Sequence, residues 1–425
     1  MILAKSLKRK ALEMNYIDLF AGAGGLSEGF LQNGFSPLAH IEMNTDACYT
    51  LKTRICYHYL KKQNKLSFYN KYLRGQITRE ILYSFVPEEL LNSVINEKMS
   101  DDTMGAIFDK VDALVEEKEV DVIIGGPPCQ AYSLVGRAVK EDKMQGDERN
   151  YLYRLYCRFL KRYQPKMFVF ENVPGLLTAN KGQHFANLKK YLARVGYKIE
   201  CKELNAKNFG VLQNRRRIII IGWKAVFDGR YKYPQFKEIK HSYKVEDIFN
   251  DLPAIQAGDE SNEYMGKPSK YLTEFGIRAK NDVLTYHVAR PHIQRDKEIY
   301  KTVIDAWNNG HRRLKYIDLP SELRTHKNVT SFLDRFKIVE WDTQTSHTMM
   351  AHISKDGHYF IHPDKTQARS ITVREAARIQ SFPDNYYFEG SRTAAFTQIG
   401  NAVPPLMSKA IAEGIKRIIE EKYND

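Results

Sequence analysis

Five short apolar runs set the strongest limit on how this chain can fold. They read "NYIDLF" at 15–20, "SPLAHIE" at 36–42, "VDVIIGG" at 120–126, "KMFVFENV" at 166–173 and "RRIIIIGW" at 216–223. Runs of this length with little polar alternation suit strands covered on both faces, and stretches between them such as "LYRLYCRFLKRY" have helical spacing. The pattern predicts an α/β fold, a mostly parallel sheet with helices on both faces. Ligands of such sheets sit beyond the carboxyl ends of the strands. A glycine turn after the first run, Glu42 after the second, Cys129 after the third and Glu171 at the end of the fourth all fall there.

With 425 residues, 43% of them hydrophobic, the chain can fill one large domain and a smaller one. Lys and Arg number 65 against 51 Asp and Glu, a net charge of +14 that favours a polyanionic partner, with nucleic acid the first candidate. The five cysteines, Cys48, Cys56, Cys129, Cys157 and Cys201, are an odd, scattered set. That spacing indicates neither a disulfide framework nor a metal site, and fits a reduced, cytoplasmic setting. The amino terminus lacks the apolar stretch of a signal peptide, and no segment approaches the roughly 18 apolar residues of a membrane span.

Between the second and third runs lies an excursion, about 45–107, with helical periodicity and high polar content; it is expected as helices on the sheet's edge. After Trp223 the texture changes. Basic residues interleave with aromatics in "YKYPQFKEIKHSYK", "HVARPHIQRDKEIYK" and "GHRRLKY", marking a second domain over about 226–387. In "TMMAHISKDGHYFIHP", Asp356-Gly357 between alternating arms predicts a hairpin. Helical spacing resumes in "RSITVREAARIQSFP" and "TQIGNAVPPLMSKAIAEGIKRIIEE", and residues 388–425 are expected to rejoin the first domain, 1–225.

The turn "DLFAGAGG" gives Gly22-x-Gly24-x-x-Ser27, with a serine where a dinucleotide fingerprint has its third glycine. A ligand without a pyrophosphate suits it better than a nicotinamide dinucleotide, and Glu42 is placed for ribose hydroxyls in either case. Cys129 stands in "GGPPCQAYS", where two prolines fix the backbone at a strand end. A thiol there reads as a nucleophile, and the glycine-dotted loop after it suits closure over a substrate. Glu171 ends an apolar strand, where desolvation favours a protonated acid. In "QNRRR", alternation sends Arg215 and Arg217 to one side and Arg216 to the other.

Taken in order, "DLFAGAGGLSEGF", "GGPPCQAYS", "FENVPG", "QNRRR", "RSITVREAARIQSFP" and "QIGNAVPP" resemble the motifs of bacterial DNA (cytosine-5)-methyltransferases, over residues 16 to about 415. The family usually has Phe where this chain has Tyr132, and compact members have a shorter excursion. The resemblance implies a Rossmann-like methyltransferase domain with a smaller target-recognition domain, S-adenosylmethionine as methyl donor with S-adenosylhomocysteine as product, no metal, double-stranded DNA as substrate and a monomer. A cognate restriction endonuclease would be the functional partner. It assigns Cys129 to attack on cytosine C6, Glu171 to the base at N3, and Arg217, joined by Arg215, to the O2 side. Phe20 would stack on the adenine; Gly22, Gly24, Gly25 and Leu26 would line the methionine part; Glu42 would bind the ribose hydroxyls; Asp18 and Met43 would belong to the same pocket. Asp109, with Asp112 as the alternative, would meet the adenine amino group, and Pro127, Leu152, Asn401 and Val403 would complete the pocket. Gln130 and Ser133 would touch the base or its phosphate.

Other readings are an RNA cytosine methyltransferase, an idle DNA-binding protein of the same fold, and a nicotinamide dehydrogenase. The RNA branch's Cys-Phe-Thr signature is absent, and the intact Cys129, Glu171 and Arg217 speak against an idle protein. The Pro-Cys turn and missing third glycine speak against a dehydrogenase.

Overall fold

Seven strands form a single sheet in a computed structural model that describes residues 13–128, 152–227, 229–325 and 332–423. They are β1 Met14–Leu19, β2 Phe35–Glu42, β3 Val94–Asn96, β4 Val122–Gly125, β5 Met167–Asn172, β6 Tyr197–Asn205 and β7 Arg216–Lys224. Their order is β3-β2-β1-β4-β5-β7-β6. The first five pair in parallel, and β7 runs antiparallel to both β5 and β6. All five expected runs are therefore strands in a mostly parallel α/β sheet. The chain works outward from β1 to β3 and then restarts at β4 on the other side of β1, which opens the crevice where such sheets bind ligands.

Helices cover both faces. Ile107, Val111, Tyr156, Phe159 and Leu188 pack on one side, from helices Met104–Val115, Leu152–Tyr163 and Gln183–Arg194. Leu26, Phe30, Met407, Ile411 and Ile415 pack on the other, from helices Gly25–Gln32 and Pro405–Tyr423. The last helix thus returns beside the first: the Ser408 hydroxyl donates to the Leu26 carbonyl, and a Cβ added at Gly29 would lie 2.3 Å from the Lys409 nitrogen.

The excursion is helical at Thr45–Lys62, Leu66–Leu73, Arg79–Tyr83 and Glu88–Asn92. It also supplies the edge strand β3, which three residues are too few to announce. Beyond the sheet, residues between Ile299 and Ile361 gather a core of their own around Tyr300, Ile304, Trp307 and Phe336. Val245, Ile248, Tyr271 and Leu272 instead share a core with Ala23, Leu212 and the Val373–Ile379 helix.

The hairpin expected at Asp356-Gly357 does not form. Gly357 does turn, at φ +78°, but the arm before it contains a 3-10 helix, Ala351–Ser354, and Ile361 only bridges singly to Ile338 and Ser370. The first arm is drawn off to the start of β7. Ser346 N–H donates to the Leu212 carbonyl at 3.0 Å, and Met349 N–H donates to Gln213 Oε1 at 2.8 Å. Among the described residues, no helix is long and apolar enough to cross a membrane.

Candidate active site

At the carboxyl ends of β1, β2, β4 and β5 lies a cleft of about 2070 Å³. That exceeds the roughly 300–1,000 Å³ of a common ligand pocket. Its floor is the glycine turn. Gly24 takes φ +81° as the residue ahead of helix Gly25–Gln32, and a Cβ there would meet Leu51 Cδ2 at 2.8 Å. At Gly22, φ +55°, an added Cβ would find nothing within 4 Å, so that the backbone lies open to the cleft. Phe20 also has positive φ, +56°. For a bulky residue this costs of order 1–3 kcal/mol, which the surrounding turn must offset.

Both carboxylate oxygens of Glu42 accept backbone N–H groups, from Gly22 and from Asn44, each at 2.8 Å. Burial nonetheless pushes its carboxyl up from the usual range. Asp18, behind it, is also pushed up by burial, partly offset by His40 with Nδ1 at 3.3 Å. In place of the third glycine, the buried Ser27 hydroxyl pairs with the Tyr16 hydroxyl, which locks the helix start to β1. The Tyr386 hydroxyl donates to the Ala23 carbonyl from beneath the turn's other side.

The other end of the cleft is a charge pair. Glu171, on β5, has Oε1 2.8 Å from Nε of Arg217 on the antiparallel neighbour β7, with both side chains 12% exposed. Antiparallel pairing sets the first residues of β7 beside the last of β5, Asn172 facing Ile218, and so brings the two together. Gly126 packs under them, and a Cβ there would lie 2.5 Å from Glu171 Oε2. The next residue, Pro127, has its carbonyl 3.4 Å from the buried Asn172 amide, which donates to it. A carboxylate held by a guanidinium is thus oriented at the turn that leads into Cys129. Cys129, Gln130 and Ser133 themselves lie outside the described residues.

Of the other expected site residues, Asp18, Phe20, Gly22, Gly25, Leu26 and Glu42 line the cleft. So do Met43, Pro127, Leu152, Asn401 and Val403. Gly24 shapes the turn without lining it.

Two placements are corrected. Arg215 is fully buried, and its guanidinium donates to the carbonyls of Met349 at 2.5 Å and of Gly400 and Ala402 at 2.9 Å. It is a clamp between chain segments, because β7 begins only at Arg216 and the alternation does not extend back to Arg215. Arg216 is outward as expected, paired with Glu203 at 2.5 Å. Asp109 is exposed and does not line the cleft: Ile107 and Val111 turn inward on its helix, which leaves Asp109 about 200° round from Ile107. Asp112 is paired with Arg162, also away from the cleft. The polar residues that do line this wall follow β3, among them Glu97, Ser100 and Asp101.

The sequence reading also missed Asn172, although it stands inside the quoted "FENVPG". It missed Gln398 as well, which opens the quoted "QIGNAVPP", and the Thr348–His352 wall, for which no local pattern gives a signal.

The sequence model of a family described as C-5 cytosine-specific DNA methylase matches residues 14–81 and 94–417. The Type II methyltransferase M.Bpa9945I of Bacillus paralicheniformis is 43% identical over 96% of this chain and 99% of its own length. M.DdeI of Desulfomicrobium norvegicum is 32% identical over 96% and 89%. Among solved structures, one described as a DNA modification methyltransferase encoded within an E. coli prophage superposes with a TM-score of 0.62, covering 96% of this chain and 100% of that one, at 21% identity, a likeness of fold. Since the match takes in the sheet, the cleft and the closing helix alike, the chain belongs to the C-5 cytosine-specific DNA methylases and is a DNA (cytosine-5)-methyltransferase.

Proposed function

We propose that the chain methylates C5 of a cytosine swung out of a specific double-stranded DNA sequence, through a transient bond from Cys129 to C6. The observation that carries this reading is the Glu171–Arg217 pair, seated against the Gly126-Pro127 turn in the same cleft as the glycine turn. Cytosine C5 is a weak nucleophile, and addition of a thiolate at C6 makes it enamine-like, which divides one hard step into easier ones. Glu171 would share a proton with N3 of the base while Arg217 holds the carboxylate in register, an arrangement fixed before charge develops. After transfer a base takes the C5 proton and the thiol departs. Extruding the base costs a few kcal/mol, which phosphate contacts by the basic surface must offset.

The open backbone at Gly22, the exposed Met43 and the half-buried Glu42 fit the methionine, adenine and ribose parts of S-adenosylmethionine. When bound, that donor supplies an electrophilic methyl group. Phe20, Leu26, Pro127, Leu152, Asn401 and Val403 would hold it, with the adenine amino group met from Glu97, Ser100 or Asp101 rather than Asp109. Residues 226–387 would read the DNA sequence, and 1–225 with 388–425 would carry the chemistry. We place the enzyme in the cytoplasm, as a monomer, either beside a cognate restriction endonuclease or as an orphan or phage methylase; the Type II methyltransferases it resembles support the former.

Duplex DNA carrying 5-fluorocytosine tests the route, because the fluorine cannot leave as a proton does. With the donor present, a denaturation-resistant adduct on Cys129 is expected by mass spectrometry, and none with Cys129→Ser. A free thiol in a competent complex overturns the covalent step.

A further inference from the structure

The helical excursion does more than cap the edge of the sheet. Its helices send polar side chains across to residues 385–398, a stretch whose second half lines the cleft. Thr53 and Tyr72 both donate their hydroxyls to Glu389 Oε1, each at 2.6 Å, and Arg79 stands 3.7 Å from Glu389 Oε2. The Glu389 N–H donates to the Thr50 hydroxyl at 2.8 Å, and that hydroxyl lies 2.6 Å from Gln398 Oε1. Gln398 in turn donates from Nε2 to the Glu389 carbonyl at 2.9 Å. Glu389 is buried, and the next residue, Gly390, comes so close to the excursion that a Cβ on it would lie 2.4 Å from the Asp46 carboxyl carbon. Immediately beyond, Ser391, Thr393, Ala394, Thr397 and Gln398 line the cleft, and the chain then runs into Asn401 and Val403.

A wall fixed only by apolar packing would need none of this. A buried carboxylate that takes two hydroxyls and faces a cation specifies one position of its own backbone, because any shift strands the charge without partners. We propose that Glu389 is a positioning residue for the donor side of the cleft, and that the excursion's Thr53 and Tyr72 hold it there. The inference rests on the proposed donor site. Loosening Glu389 lets the wall populate positions that cannot bind the donor, so apparent affinity falls by the fraction still competent, while the rate at saturating donor is kept.

The test compares Glu389→Ala, Tyr72→Phe and Glu389→Gln in the full chain. Binding of S-adenosylhomocysteine is read by calorimetry, and methylation of unmethylated plasmid DNA gives kcat and the KM for each substrate. Glu389→Ala and Tyr72→Phe are expected to weaken S-adenosylhomocysteine binding and raise the donor KM about tenfold, with kcat and the DNA KM within about twofold. Glu389→Gln, whose amide oxygen still accepts both hydroxyls, is expected to recover most of the affinity. Tyr300→Phe, which removes a hydroxyl bonded to His358 at 2.7 Å in the separate core, controls for loss of stability alone. A donor affinity that stays at the wild-type value in Glu389→Ala overturns the proposal, as does an equal fall in Tyr300→Phe or a fall in kcat matching the rise in donor KM. Failure of the wild-type chain to bind S-adenosylhomocysteine brings down the donor site itself, and this inference with it.

Discussion

The sheet and the wall facing it solve the same problem in different ways. In β4, β5 and β7 the buried backbone groups pair along ladders, and the side chains between the layers are apolar, Ile123, Val169 and Ile220 among them. Among the described residues the opposite wall has isolated bridges rather than strands, so its buried carbonyls have no ladder to join. There arginines take the place of neighbouring strands. Arg378 donates to the Ile248 carbonyl at 2.6 Å, Arg374 to that of Thr285 at 3.1 Å, and Arg369 to that of Ile255 at 3.1 Å, while Arg215 serves three more. A guanidinium carries five donors in a fixed fork, enough to reach two or three irregular segments at once. Its charge is then met by Asp251, Asp384 and Glu375, all buried. An irregular region can therefore hold buried carbonyls without a ladder, through a few side chains, each of which two or three segments share.

The comparison breaks most visibly if one such side chain is removed. Arg378 bonds the Ile248 carbonyl, Asp251 and Asp384 together, so Arg378→Met is expected to cost about 3–5 kcal/mol in urea unfolding. Arg378→Lys should cost nearly as much, because an ammonium cannot span the three partners. In the sheet, Ile220→Val is expected to cost only about 0.5–1.5 kcal/mol. Equal losses at the two positions would mean that the arginines are packed but do not bind the segments together.

A second test moves to the sheet's end, where shape rather than charge leaves no slack. A methyl group at position 126 would overlap Glu171 Oε2, yet that atom ends a flexible side chain that can swing aside. Gly126→Ala should therefore fold, with little change in melting temperature, while the Glu171–Arg217 pair is displaced. Misplacement of a reacting group by about 1 Å can cost about 10²-fold, and a fall in kcat of that order is expected in a methyl-transfer assay. Activity near the wild-type value would show that the pair's present geometry is not the working one.

What could be read from the sequence divides along the same line. Continuous apolar runs placed β1, β2, β4, β5 and β7, and the residues at their ends fell in one cleft, because burial on two faces leaves a direct trace in composition. β6 left no such trace: it is an edge strand, half-exposed, with Lys198, Glu200 and Lys202 along it. Arg215 was grouped with Arg217 by a period of two that starts one residue too late to include it. Nor could spacing tell which way Asp109 faces. The arginines of "RSITVREAARIQ" are harder still, since every residue of helix Val373–Ile379 is buried, and a buried charge is ordinarily the least expected reading. Only the positions of the carbonyls they serve explain them, and those come from distant segments: Ile248 and Ile255 are more than 100 residues from their arginines and Thr285 is 89 from Arg374.

The smallest expected effect concerns pH, and it sharpens the contrast because the irregular wall also buries neutral histidines. His362 is held down to about 3, first by burial and then by the charge of Arg369, against the opposing pull of Glu375 and Asp364; His287 lies near and adds to the lowering. Its Nδ1 accepts the Asp364 N–H at 3.1 Å, which requires the neutral ring, and the Phe249 ring packs edge-on 5.0 Å away. Because the folded pKa lies below the unfolded value of about 6.5, the unfolded chain binds the proton first. Stability from this group is complete above about pH 6.5 and declines as pH falls toward 3, by up to about 1.4 kcal/mol per pH unit. Against the upward push of burial, Arg369 holds Glu375 below the usual carboxylate range, so its own contribution is present above about pH 4.3 and is lost below that, overlapping the histidine window only in its acid part. His362→Asn keeps an acceptor for the Asp364 N–H but cannot titrate. Urea unfolding between pH 6.5 and 4.5 should therefore show a slope shallower than wild type by about 1.4 kcal/mol per pH unit. An unchanged slope would mean that His362 already carries its proton in the folded chain, and that the wall tolerates one more buried cation than its carboxylates balance.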